Sequence, residues 1–145
     1  MIRIFITTLS IIALVACAAQ GQLSSIPLPT DPDNAAELTI IRKSEFFGGG
    51  ASNSVALDHN AFVAMRTGDY VTIKLSPGRH VISVLGPKQI MGGNRFSSDF
   101  EVNVESGTST FVLFESDAPG FGFTKIDPVQ GQKYINKYTK IELVQ

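Results

Sequence analysis

Few side chains in this sequence can do covalent, acid–base or metal chemistry: one cysteine, Cys17, and two histidines, His59 and His80. Cys17 follows Leu14-Val15-Ala16, small or aliphatic residues that let an extended segment fit a processing enzyme. Its thiolate is the form that acts as a nucleophile. His59 sits beside Asp58 in a turn-forming stretch, and reads as a turn residue with a hydrogen-bonding side chain. His80 shares a face with Ile82 and Val84 and reads as a half-buried histidine at a strand start. Either would become an acid–base candidate only in a cleft beside a carboxylate such as Asp58 or Asp69. A serine hydrolase needs a G-x-S-x-G elbow, which is absent. With no spaced histidine pair and one thiol, no zinc ligand set is available, so neither a catalytic residue nor a metal site is expected. Gly48-Gly49-Gly50 is not followed by Lys-Ser or Lys-Thr and lies between expected strands, so a phosphate-cradling loop fails on context.

Residues 1–16 carry Arg3 and then an apolar run from Ile4 to Val15, the plan of a secretory leader. The run is too short for the ~20 residues of a membrane span, and it gives way to Gln20-Gly21-Gln22. An ordinary signal peptide with an incidental Cys17 is the competing reading. Leu14-Val15-Ala16-Cys17 resembles the lipobox of bacterial lipoproteins more closely. That resemblance implies cleavage between Ala16 and Cys17, a thioether-linked lipid on Cys17, and acylation of the new amino group. One acyl chain binds a membrane marginally, whereas two or more hold a protein in place. The expectation is a membrane-anchored envelope protein, with the covalent lipid as its only attached group and no cofactor. Ala18 stands where lipoproteins retained at the inner membrane often carry Asp, so the resemblance implies the outer membrane, facing the periplasm. A lipidated Cys17 leaves no thiol for a disulfide, and stability must come from packing.

About 130 residues follow the leader, enough for one domain with a real core. A net charge of −1 with 17% charged residues gives no electrostatic footprint for nucleic acid. Residues 17–36 hold Pro27, Pro29 and Pro32 among Gln, Ser and Asp, and read as a tether stiffened toward polyproline II at roughly 3 Å per residue. The alternative is an arm packed on the domain through Leu23, Ile26 and Leu28. Residues 37–145 form the domain. Short runs of β-branched and aromatic residues between turn signals predict an all-β antiparallel sandwich of about seven to eight strands. Val71, Ile73 and Leu75 alternate with Tyr70, Thr72 and Lys74, one face inward and one outward. Phe111-Val112-Leu113-Phe114 is apolar on both faces and predicts a central strand covered twice. Asp127-Pro128 is a helix start leading to a short helix near 132–138, with a strand at 139–144 as the competing reading.

The order of elements carries a second resemblance. Ile41-Arg42, the Ala56-Leu57-Asp58-His59-Asn60 hairpin, Leu75-Ser76-Pro77-Gly78-Arg79-His80 and the later Ser106-Gly107 turn look like a family of small bacterial lipoproteins similar to the PEGA domain. It implies an immunoglobulin-like or PEGA-like sandwich, and it brings no established enzymatic activity to carry over. A glycine commonly follows the hairpin aspartate in that family, and His59 stands here instead. The function expected is a non-catalytic interaction or structural module, its partner an envelope protein or glycan, with oligomeric state left open. The alternative is a small-ligand or glycan-binding domain using Phe46 to Gly50 and Gly86 to Asn94. Phe46, Phe47, Phe121 and Phe123 place rings beside glycines, and exposed aromatics in loops mark binding surfaces. Aromatics beside turns also cap the open ends of sandwiches.

Overall fold

The computed structural model describes residues 20–44, 51–85, 96–117 and 120–144. Two five-stranded sheets face each other and share a core. The first contains β1 (Gly21–Gln22), β3 (Asn53–Leu57), β4 (Asn60–Met65), β6 (Gly78–Leu85) and β7 (Phe96–Val104), in the order β1-β4-β3-β6-β7. The second contains β2 (Ala36–Arg42), β5 (Asp69–Leu75), β8 (Ser109–Asp117), β9 (Gly120–Ile126) and β10 (Thr139–Lys140), in the order β10-β5-β2-β8-β9. The eight longer strands match the expected number, and the two-residue β1 and β10 close one edge of each sheet.

The alternation in the sequence sets which faces pack. Val71, Ile73 and Leu75 of β5 are buried against Leu38 and Ile40 of β2 and against Val55, Phe62 and Ile82 of the first sheet. On β7, Val102 and Val104 point into the same core while Asp99, Glu101 and Asn103 face solvent. β8 is covered on both sides, as its composition predicts. Val112 and Phe114 enter the main core, and Phe111 and Leu113 join Ile41 in a second cluster under Tyr134, Ile135 and Tyr138.

Those last three belong to the tail. A helix, α1 (Pro128–Ile135), starts at Asp127-Pro128 as expected and ends before the expected 138: the Asp127 carboxylate accepts from the Gln130 N–H at 3.0 Å, with Pro128 in the first turn. It lies against β8 and β2 at Gly131, where a Cβ would stand 2.3 Å from the Phe111 ring. Any side chain there displaces the helix, so glycine is kept despite its poor helix propensity. Helix and strand, posed as rivals for the tail, both form: α1 ends, and Thr139–Lys140 pairs with β5.

Two expectations are corrected. The second sheet is mixed, because β2 pairs with β8 in parallel and β10 with β5 in parallel. The cause is that the chain crosses between layers at Glu105–Thr108 and enters β8 from the end at which β2 also begins. There the Gly107 N–H donates to Ala35 and the Glu37 N–H to Thr108. The tether, over Gln20 to Ala36, is packed on the sandwich. Gly21–Gln22 pairs with Val63–Ala64, the Leu23 N–H donates to the Phe62 carbonyl at 2.7 Å, and Ile26 is 4% exposed within the main core. Leu23 and Leu28 stay exposed, so Ile26 seats the arm ahead of β2, whose first residue Ala36 is also buried.

Candidate functional site

The strand register sorts the turns onto two ends of the sandwich. At the far end lie the β3–β4 turn (Asp58-His59), the Ser76-Pro77 crossing from β5 to β6, and the Ser106-Gly107 turn. At the entry end lie Gln20, Arg42 to Ser44, the β4–β5 turn at Arg66 to Gly68, and Tyr138.

The far end contains the histidine–carboxylate pair that would reopen acid–base chemistry. His80 Nδ1 lies 2.8 Å from Asp58 Oδ2, and His80 Nε2 lies 2.9 Å from the Ser76 carbonyl oxygen. Both ring nitrogens therefore face oxygen atoms of the fold itself. The Ser76 hydroxyl does not face the ring. Its Oγ accepts from the Thr30 N–H at 3.0 Å. Asp58 also binds β6 directly: Oδ1 accepts from the Val81 N–H at 2.9 Å, and the Asp58 N–H donates to the Val81 carbonyl at 2.8 Å. Asp, His and Ser thus come together without a nucleophile in line. The arrangement is a strut joining the first hairpin to the start of β6.

His59 is exposed at the adjacent turn. Asp58 and His59 both have positive φ, 48° and 64°, as a two-residue type I′ hairpin turn requires. His59 therefore holds a left-handed backbone geometry that glycine takes without strain.

At the entry end, the arm and tail are fastened by side-chain amides. Gln20 donates to Asp69 Oδ2 at 2.9 Å, and Gln22 both donates to the Val144 carbonyl and accepts from the Val144 N–H, each at 2.8 Å. Arg42, 4% exposed, reaches from β2 across the layers. Its Nη1 donates to the Ala51 carbonyl at 2.9 Å and to the Met65 carbonyl, and its guanidinium sits 5.5 Å from the centre of the Phe114 ring. Sequence reasoning missed this role. Its only trace was an arginine closing an otherwise apolar run.

The four aromatic candidates divide. Phe46 and Phe47 lie outside the described residues, as do Ala16, Cys17 and the Gly86–Asn94 segment. Phe121 and Phe123 are on β9 rather than in a loop, because β9 pairs with β8 from Gly120 to Ile126. Phe123 is buried and stacks on Phe114 at 5.1 Å, with Phe100 at 6.1 Å; half-buried Phe121 lies 5.6 Å from Phe114. These two rings fill the gap between the sheets, which corrects their assignment as surface binding residues.

At the carboxyl end of α1, Gln130, Lys133, Tyr134, Lys137 and Tyr138 line a shallow groove of about 230 Å³. The tyrosine rings lie 5.5 Å apart, and the Tyr138 hydroxyl accepts from the Ser44 N–H at 3.0 Å. On β10, the hydrogen bond to Glu142 and that carboxylate's charge hold the Lys140 ammonium above the ordinary lysine range. Among the described residues, no three His, Asp or Glu side chains gather as a metal cage. No helix among them is long and apolar enough to cross a membrane. Comparison with protein-family models, curated proteins and solved structures returned no match to this chain.

Proposed function

We propose that this chain is a lipid-anchored cell-envelope protein whose sandwich, immunoglobulin-like or PEGA-like in kind, works by surface contact with an envelope protein or glycan. The observation that carries the reading is Leu14-Val15-Ala16-Cys17 closing the apolar run that begins at Ile4, with Cys17 three positions before an arm packed on the domain. A nucleophilic thiol behind small aliphatic residues is what lipid transfer and cleavage require. The module is non-catalytic. The His80–Asp58 pair spends both ring nitrogens on bonds within the fold, which supports that assignment. Ala18 directs it to the outer membrane, facing the periplasm.

Labelling cells with radioactive palmitate tests this. The native chain is expected to take up label and fractionate with membranes, and Cys17→Ala to lose both. A Cys17→Ala protein that stays with membranes at the native level would overturn the anchor.

A further inference from the structure

We propose that the entry end of the sandwich rests on an anionic phospholipid surface, with the carboxyl end of α1 in the headgroup layer and the far end pointing away. The inference rests on the lipid anchor at Cys17 and adds the orientation of the domain on it.

Chain length sets the first constraint. Cys17 is three positions before Gln20, whose side chain is tied to Asp69, and three extended residues span at most about 11 Å. A packed arm gives no long tether, so some face of the domain must lie within or against the headgroups. β1 runs antiparallel to β4, with Gly21 opposite Ala64 and Gln22 opposite Val63. Gln20, at the start of the arm, therefore lies on the side of the Arg66–Gly68 turn. Thr139 lies at that same turn, donating to the Gly68 carbonyl at 2.9 Å, with Lys137 and Tyr138 just before it.

Charge and side-chain type choose between the ends. Around the groove at the end of α1, Lys133 and Lys137 are exposed beside the half-buried Tyr134 and Tyr138. Long amines over tyrosines suit a membrane–water interface, where aromatic rings sit at headgroup depth and lysine stems reach to phosphate. The far end instead exposes Asp31, Asp33, Asp58, Glu105 and Asp127, which outnumber its exposed cations Lys74, Arg79 and Lys125 among the described residues. An anionic surface attracts the first set and repels the second within a Debye length.

The test uses the full lipidated chain, added to vesicles with or without phosphatidylglycerol and carrying a headgroup-attached nitroxide. A fluorophore is placed on Asn136→Cys, at the end of α1, or on Asn103→Cys, toward the far end; both asparagines are exposed and neutral. With phosphatidylglycerol present, quenching is expected to be at least threefold stronger at position 136 than at 103. Equal or reversed quenching in protein that floats with the vesicles would overturn the docking while leaving the anchor intact. Lys133→Gln with Lys137→Gln, or purely zwitterionic vesicles, should bring the ratio close to one, and an unchanged ratio also overturns the proposal. Failure of the native chain to float, with Cys17 open to the fluorophore, defeats the anchor and the docking together.

Discussion

The two ends of the sandwich are closed by different chemistry. At the far end, short polar turns do it: Asp58 holds Val81 and His80, the Ser106 hydroxyl donates to the Asn34 carbonyl at 3.0 Å, and Asp31 caps the Pro32–Asn34 turn. Each contact sits at a turn and is partly wet. At the entry end, one buried guanidinium spans the layers over an aromatic stack, and two glutamines fasten the termini. The far end spreads closure over many modest bonds; the entry end concentrates it. Loss of one partner should therefore cost more at the entry end, because a buried polar group without its partner bears the full cost of desolvation.

Arg42→Met is the sharpest way to break that contrast. The variant leaves the Ala51 and Met65 carbonyls without their donor and removes the cation over Phe114. Denaturant unfolding should show a loss of about 3 kcal/mol. Arg42→Lys should recover only a minor part, since an ammonium does not reproduce the planar guanidinium over the Phe114 ring. A loss no greater than that of a far-end variant would erase the distinction between the ends.

Much of the scaffold behind this contrast was legible. Period-two alternation fixed the inward faces of β5 and β7, the doubly apolar Phe111–Phe114 marked a central strand, and Asp127-Pro128 marked a helix start. What local pattern cannot specify is the partner. Alternation states which face of β2 is buried but not that β8 lies beside it in parallel. The arm looked like a tether because its contacts are distant in sequence: Gln22 meets Val144 across 122 positions. Arg42 looked like the polar end of a strand because its acceptors, Ala51 and Met65, come from other segments. Phe123 looked like a loop residue because Gly120 and Gly122 flank its neighbour, yet both glycines fall inside a paired strand. The Asp58–His80 strut was readable only as a condition, a histidine in need of a carboxylate, since 22 positions separate the two.

At the far end, Asp58→Ala removes the acceptor for the Val81 N–H and for His80 together, with an expected loss of about 1–2 kcal/mol because the site is partly open to water. Asp58→Asn keeps an acceptor for Val81 and tolerates the positive φ, so it should lose about half as much. Thermal melts of the two side by side separate the ionic contribution from the backbone one. A loss from Asp58→Ala equal to that from Arg42→Met would mean that the strut, although wet, closes its end as decisively as the buried guanidinium closes the other.

The smallest effect tests the turn itself and has the opposite sign. His59 holds φ at 64°, a region that costs a residue other than Gly, Asn or Asp roughly 1–2 kcal/mol. Glycine meets no such strain but loses more backbone entropy on folding. The balance predicts that His59→Gly raises stability by up to about 1 kcal/mol, visible as a melting temperature higher by a few degrees. Asp58 is unchanged in that variant, so the strut persists. A lower melting temperature would show that the His59 side chain contributes more than its backbone strain costs, and would make this turn, like the entry end, dependent on one residue.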